Sequence, residues 1–451
     1  MPTLEMIRTA DRLRGEDRFR KTPLLHPATL SAAAPAGADV RLKLEMFQRT
    51  GSFKARGATA KVMALTEKER AAGIVAASAG NHAQGVALAA ASVGARARIV
   101  MPEDAPLTKQ AATRRYGAEV ILRGGSYDEA FAAAGELVRS EGGTLVHAFD
   151  DPWVMAGQGT IALEILEDLP DVGSIVCAVG GGGLIAGVAT AIRALRPQVR
   201  IFGVQAEGAP AAARSFAAGR RVDPGAPTTI ADGIKVRHVG ERCFDVIRRL
   251  VDDIVTLSDA DICRAMLALD EHAHISAEPA GAAPVAALLS GALRLPPGPA
   301  VAIVSGGNVD TFEKTRCIRR ALAAETRYLR LGVRLVDRRG RKPREMARIF
   351  GMLADQDVNV LDIGYRREAT DLPIGLVEIE LLVETRGLEH SHAVAAELRR
   401  GGFEVTSDAE APRIAARGPA AERFLAPREE STARQRRVRA AAGAARVRSI
   451  A

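Results

Sequence analysis

Ser174-Ile175-Val176-Cys177-Ala178-Val179, then Gly180-Gly181-Gly182-Gly183, then Leu184 to Leu195, reads as a strand, a tight turn and a helix in immediate succession. The first six residues are uncharged and β-favouring, and the last twelve contain no proline. A strand feeding a helix in this way is the repeating unit of an α/β fold with a parallel sheet. Four consecutive glycines remove every Cβ from the turn, so backbone N–H groups at the helix N-terminus can close on phosphate oxygens. Glycines also serve tight turns and close packing, and the segment resembles a dinucleotide fingerprint. Glu207, about twenty residues on, stands where a ribose-binding acid would be.

Two further strand ends carry polar residues where α/β sheets place their ligands. Ser305-Gly306-Gly307-Asn308 follows the apolar strand Pro299 to Val304, and the Ser305 hydroxyl can serve a heterocyclic nitrogen. Ser78-Ala79-Gly80-Asn81-His82 lies between a strand (Ile74 to Ala77) and a helix (Ala83 to Ala91), with the Asn81 amide able to bond a ring oxygen. His82 reads equally as a packing histidine or a chemical group. Upstream, Arg49-Thr50-Gly51-Ser52-Phe53-Lys54-Ala55-Arg56-Gly57-Ala58 places a lysine beside an aromatic at a helix start, predicted at Ser52. Burial and the positive end of the helix dipole both lower a lysine pKa, which is what a carbonyl-directed amine needs. Taken alone, Lys54 is an ordinary helix lysine with a solvated head. Beside the glycine loop and Ser305 it becomes the candidate nucleophile for an aldehyde cofactor.

The motifs together resemble the fold-type II pyridoxal-phosphate enzymes, and within them the threonine/serine dehydratases. The resemblance runs through Lys21-Thr22-Pro23-Leu24, Arg49 to Ala58, Ser78 to Gly85, His147 to Pro152, Ala156 to Thr160, the tetraglycine, Ala231 to Ile234, Glu278 to Ala282 and Ser305 to Asp310. It implies two open twisted-sheet α/β lobes like those of tryptophan synthase β. The small lobe is expected at about 41–149 and the large lobe at 1–40 with 150–320, together a catalytic domain over 1–325. It implies pyridoxal 5'-phosphate carried covalently by Lys54, with Phe53 packed on its ring and Asn81 on its ring hydroxyl. Gly180, Gly181, Gly182 and Gly183 would hold the phosphate, and Ser305 the pyridine nitrogen. Ser78 with the backbone of Ala79, Gly80, Asn81 and His82 would receive the amino-acid carboxylate. The reaction implied is β-elimination, converting L-threonine to 2-oxobutanoate and ammonia, and L-serine to pyruvate.

Racemases of this fold place a serine directly after the first serine of the asparagine loop, where this chain has Ala79, so dehydration is favoured over racemisation. Their divalent-cation site is also incomplete, because Glu207 would be followed by Ala213 where an aspartate belongs. No required metal is expected. A hydroxyaspartate dehydratase shares the motifs and stays open as an alternative. A nicotinamide-dependent oxidoreductase and a nucleic-acid-binding protein leave Lys54, Asn81 and Ser305 unexplained.

From residue 326 to 408 the pattern changes to βαββα with a last strand near Phe403 to Thr406, resembling an ACT regulatory domain. Its amino-acid effector would bind around Gly340 and Asn359, although Arg339 replaces a proline usual before that glycine. A dimer or tetramer follows from the same resemblance. Residues 409–451 form an alanine- and arginine-rich tail, expected to be disordered. From Ala411 onward it carries ten arginines against three glutamates, a surplus of seven in a chain whose net charge is +8. The remaining body is nearly neutral, so the basic balance is no argument for nucleic-acid binding.

Four scattered cysteines form neither a disulfide framework nor a metal motif. His272 with His274, and His390 with His392, are two apart and diverge on a helix. Val172 to Ile192 is uncharged, yet four glycines at its middle make a poor lipid-facing helix. With charges from Glu5 onward and no apolar signal core, a cytoplasmic protein is expected.

Overall fold

A computed structural model describes residues 1–15, 17–35, 38–338, 341–367 and 372–408. The chain divides into two units, Met1–Ala321 and a second that begins at Leu322. The tail expected over 409–451 lies outside the described residues, as do Arg339 and Gly340.

The first unit is built on two sheets. Its strands are β1 (Leu24–Leu25), β2 (Val40–Leu44), β3 (Ile74–Ala77), β4 (Ala97–Met101), β5 (Glu119–Leu122), β6 (Thr144–Leu145), β7 (Ser174–Ala178), β8 (Arg200–Ala206), β9 (Asp253–Leu257) and β10 (Ala300–Val304). The larger sheet has the order β1-β2-β10-β7-β8-β9, and the smaller has β5-β4-β3-β6. Every pairing is parallel except that of the short edge strand β1 with β2. Strands β7 and β10 are buried along their whole length, as parallel strands covered by helices on both faces must be.

One lobe boundary moves. Residues 41–44 were assigned to the small lobe, but β2 pairs with β10 in register Val40↔Ala300 to Leu44↔Val304 and belongs to the large sheet. The small lobe therefore starts with the helix Lys54–Ala64, whose Ala58 and Val62 pack into the core of the smaller sheet with Ile74, Val86 and Ile99. That helix begins at Lys54, not Ser52, with Phe53 at the N-cap.

Between the lobes lies a group of charges with no exposed surface. Arg56 donates to Glu45 (Nε to Oε2, 2.8 Å; Nη2 to Oε1, 2.8 Å) and to Glu164 (Nη1 to Oε1, 2.7 Å; Nη2 to Oε2, 2.9 Å). Lys43 Nζ reaches Glu164 Oε2 at 2.7 Å, and all four side chains are 0% exposed. Two cations face two anions, so the cluster is neutral as a whole and each donor has an acceptor. It ties β2 and the turn after it to the helix of Lys54 and to the helix Pro152–Asp168.

The second unit has the order β11 (Tyr328–Val336), helix Arg341–Asp355, β12 (Asn359–Arg366), β13 (Leu376–Glu384), helix Leu388–Arg400 and β14 (Glu404–Ser407). Its antiparallel sheet runs β12-β13-β11-β14, a βαββαβ ferredoxin-like arrangement. Leu329, Leu331, Val333 and Leu335 alternate along β11 into a core shared with Ile349, Leu353, Val394 and Leu398 of the two helices.

Candidate active site

The carboxyl ends of β3, β7 and β10 open on one cavity of about 320 Å3, the size of a small-ligand site. Its lining includes Phe53, Lys54, Ser78 to His82, Gly180 to Gly183, Glu278 and Ser305. Residues from distant parts of the chain thus meet because three strand-to-helix turns lie side by side.

Lys54 is the first residue of its helix and its Nζ donates to the carbonyl of Ala148 at 2.8 Å. Burial pulls its pKa down to about 8, opposed by the electrostatic effect of Cys243 and Glu278. Phe53 sits beside it, with Nζ 5.3 Å from the ring centroid, and packs against the core of the large lobe. The strand end that carries Ser305 is stitched to this turn. Phe53 N donates to the Ser305 carbonyl at 3.0 Å, and Ser52 forms a bridge with Gly306.

The tetraglycine caps the helix Gly183–Leu195. A Cβ on Gly181 would fall 2.3 Å from Phe149 Cγ, so the loop settles onto that ring in a way no larger residue permits. Absence of Cβ atoms thus lets the loop pack against Phe149, and the loop and that ring both line the cavity. Among the described residues, the amides of Gly180 to Gly183 find no protein acceptor, which leaves a helix N-terminus with free donors for an anion.

Ser78 Oγ accepts from Gly80 N at 3.1 Å, shaping the turn into the helix Asn81–Ala91. That helix starts two residues earlier than its apolar run predicts, bringing its first amides to the cavity. His82 is a packing residue on this geometry. Its Nε2 lies 2.9 Å from the Val146 carbonyl, so the proton sits on Nε2, and burial drives the pKa to about 3. Asn81 is engaged by a residue to which the sequence assigned no role: its Nδ2 donates to Glu278 at 2.9 and 3.1 Å.

A lysine amine of lowered pKa, an amide cradle for a dianion and a hydroxyl-bearing strand end line the same cavity, and these residues fit pyridoxal phosphate. A partly buried lysine and a glycine cradle set between two open α/β lobes define a pyridoxal-phosphate enzyme of fold type II.

The comparisons with known proteins place the chain in that class. Residues 16–306 match the family of pyridoxal-phosphate-dependent enzymes, and the chain belongs to it. It is 44% identical over 393 residues, 87% of this chain and 96% of the other, to an L-threonine ammonia-lyase of Geobacter sulfurreducens. It resembles the crystal structure of a T.th. threonine deaminase (TM-score 0.64, 43% identity, 68% of this chain and 99% of that one). It also resembles that of maize serine racemase (TM-score 0.67, 34% identity, 72% and 99%).

Among the described residues no group of three or more His, Cys, Asp or Glu side chains is placed to hold a metal, and no helix is long and apolar enough to cross a membrane.

Proposed function

We propose that the chain is a threonine ammonia-lyase, releasing 2-oxobutanoate and ammonia from L-threonine. The observation that carries this reading is the 44% identity to an L-threonine ammonia-lyase along 96% of that protein's length, which reaches through the second unit as well as the site. Ala79, lining the cavity where a racemase would present a hydroxyl, supports elimination over inversion.

When bound, the cofactor supplies a covalent hold on the substrate amine and a sink for the electron pair left when the Cα–H bond breaks. Lys54 would hold the cofactor covalently, and its amine, when neutral, is the base placed to take the Cα proton of the bound substrate. Its low pKa keeps a useful fraction neutral near pH 8. Ser78 and the first amides of the helix Asn81–Ala91 orient the substrate carboxylate. The proton held on Lys54 is then available to the departing β-hydroxide. The Gly180 to Gly183 amides would hold the phosphate, and Ser305 would offer its hydroxyl to the ring nitrogen. The enamine that leaves hydrolyses to the oxo acid and ammonia.

L-Serine is the second reading, supported by the likeness to a serine racemase, because one substrate methyl carries only about 1–3 kcal/mol of discrimination. The second unit is proposed as an ACT-type regulatory domain that binds an amino-acid effector and joins subunits into a dimer or tetramer. Its βαββαβ order supports this. The cluster of Lys342 with Asp337 and Tyr365, and of Arg367 with Asp337, supplies polar groups beside its first loop.

The test is oxo-acid release from L-threonine and L-serine by the purified protein with pyridoxal phosphate, beside Lys54→Ala. Release that is lost in the variant supports the assignment, and the ratio of the two rates names the substrate. Cofactor binding without release from either amino acid refutes it.

A further inference from the structure

Glu278 is a buried carboxylate in the wall of the active cavity, and among the described residues it has no salt-bridge partner. Burying an unpaired charge is costly, and the surrounding chain is shaped to accept it. A Cβ on residue 306 would lie 2.7 Å from Glu278 Oε1, so only glycine leaves room, and the Glu278 amide donates to the Gly306 carbonyl at 3.1 Å. The residue caps the helix Pro279–Ser290 without a capping bond from its side chain, which turns instead toward the cavity.

Its partner there is Asn81. Both carboxylate oxygens accept from Asn81 Nδ2, while Asn81 Oδ1 accepts from Asn308 Nδ2 at 2.7 Å. Asn308 is itself oriented, because the same Nδ2 donates to the Thr50 carbonyl at 2.6 Å. An asparagine amide has two nearly isosteric orientations, and its neighbours decide between them. Here both neighbours select the same one. A flipped amide would set Oδ1 against the Glu278 carboxylate and Nδ2 against the Asn308 amine.

We propose that Glu278 is a positioning residue for the cofactor: with Asn308 it locks the Asn81 amide so that the N–H side, never the carbonyl, is presented to the cofactor's ring oxygen. This rests on the proposed contact of Asn81 with that oxygen. Without the carboxylate only Asn308 opposes a flip, and in the flipped form the carbonyl oxygen faces an oxygen that carries negative charge. The charge of Glu278 also acts on Lys54, raising its pKa against the effect of burial. Glu278 itself is pushed upward by burial, with the Asn81 bond opposing.

The test is a double-variant cycle on the full chain reconstituted with pyridoxal phosphate, using Glu278→Gln, Asn81→Ala and both together. The readouts are the dissociation constant of pyridoxal phosphate and the position of its near-visible absorption band, with thermal melting as a folding check. Glu278→Gln keeps the volume, and it is expected to weaken cofactor affinity about tenfold, the scale of one hydrogen bond to a charged group, and to shift the band. In the Asn81→Ala background the same substitution should leave only the smaller effect that the Glu278 charge has on Lys54. Full additivity of the two substitutions would show that Glu278 acts independently of Asn81 and would overturn the proposal. An Asn81→Ala protein with unaltered affinity and spectrum would remove the contact it rests on and overturn it at that earlier step.

Discussion

Glu164→Leu should be among the most damaging single substitutions in the first unit. Glu164 accepts from Arg56 twice, from Lys43 and from the Thr22 amide, and its removal strands an ammonium and part of a guanidinium with no exposed surface. Breaking a buried ion pair from one side costs about 3–5 kcal/mol, and with a urea slope of about 3 kcal/mol/M the unfolding midpoint should fall by about 1–2 M. Trp153, the single tryptophan of the chain, lies on the same helix as Glu164, so its fluorescence reports the transition locally. Lys43→Met added to Glu164→Leu removes one charge of each sign and leaves the Arg56–Glu45 pair intact, so the double variant should be more stable than Glu164→Leu alone. The pH dependence has a definite sign. Burial raises the Glu164 carboxyl, but Arg56 and Lys43 outweigh it and leave its pKa below the ordinary value. The stability it contributes is therefore present above the unfolded carboxylate pKa and lost as pH falls through the folded one, and the variant should show a shallower acid slope than the parent. A midpoint for Glu164→Leu within about 0.3 M of the parent, less than about 1 kcal/mol, would refute the reasoning.

Two further outcomes test the site. In cofactor-free protein, the rate of pyridoxal-phosphate capture should climb with pH, reach half its maximum near 8, where Lys54 is half neutral, and level off above that; rates still rising toward pH 10 would show an unperturbed lysine. Gly181→Ala should lose cofactor on dialysis and about 1–3 kcal/mol of stability, because its methyl would meet the Phe149 ring at 2.3 Å.

Much of this site was legible before the fold was known, for a local reason. Lys54, the tetraglycine and Ser305 each sit at a strand-to-helix turn, and turn chemistry is written in adjacent residues. The carboxylate of Glu278 was not legible as a site group, since Ser276-Ala277-Glu278-Pro279 reads as an ordinary helix entrance and its partner Asn81 is 197 residues away. Distance hid the buried charges too. Lys43 and Arg56 look like solvated side chains until Glu164, 108 residues beyond Arg56, is folded against them. The misplaced lobe boundary has the same origin. Nothing in Val40–Leu44 says which sheet it joins, because a parallel strand's neighbour is chosen by long-range packing rather than by its own residues. The early start of the helix at Asn81 was missed because its first turn is polar and faces a cavity, outside the apolar periodicity that marks the rest.

The displaced boundary has a mechanical meaning. The chain enters the small lobe between β2 and Lys54, and it leaves between β6 and Pro152. Lys54 stands at the end of the first crossing, and its amine is bonded to Ala148 in the second. The two crossings are thus joined by that hydrogen bond. A swing of the small lobe about these crossings would move each atom in proportion to its distance from them, so the rim of the cleft would travel while the amine stayed almost still. A jaw hinged at these crossings would carry the Lys54 amine at its pivot and not on its teeth.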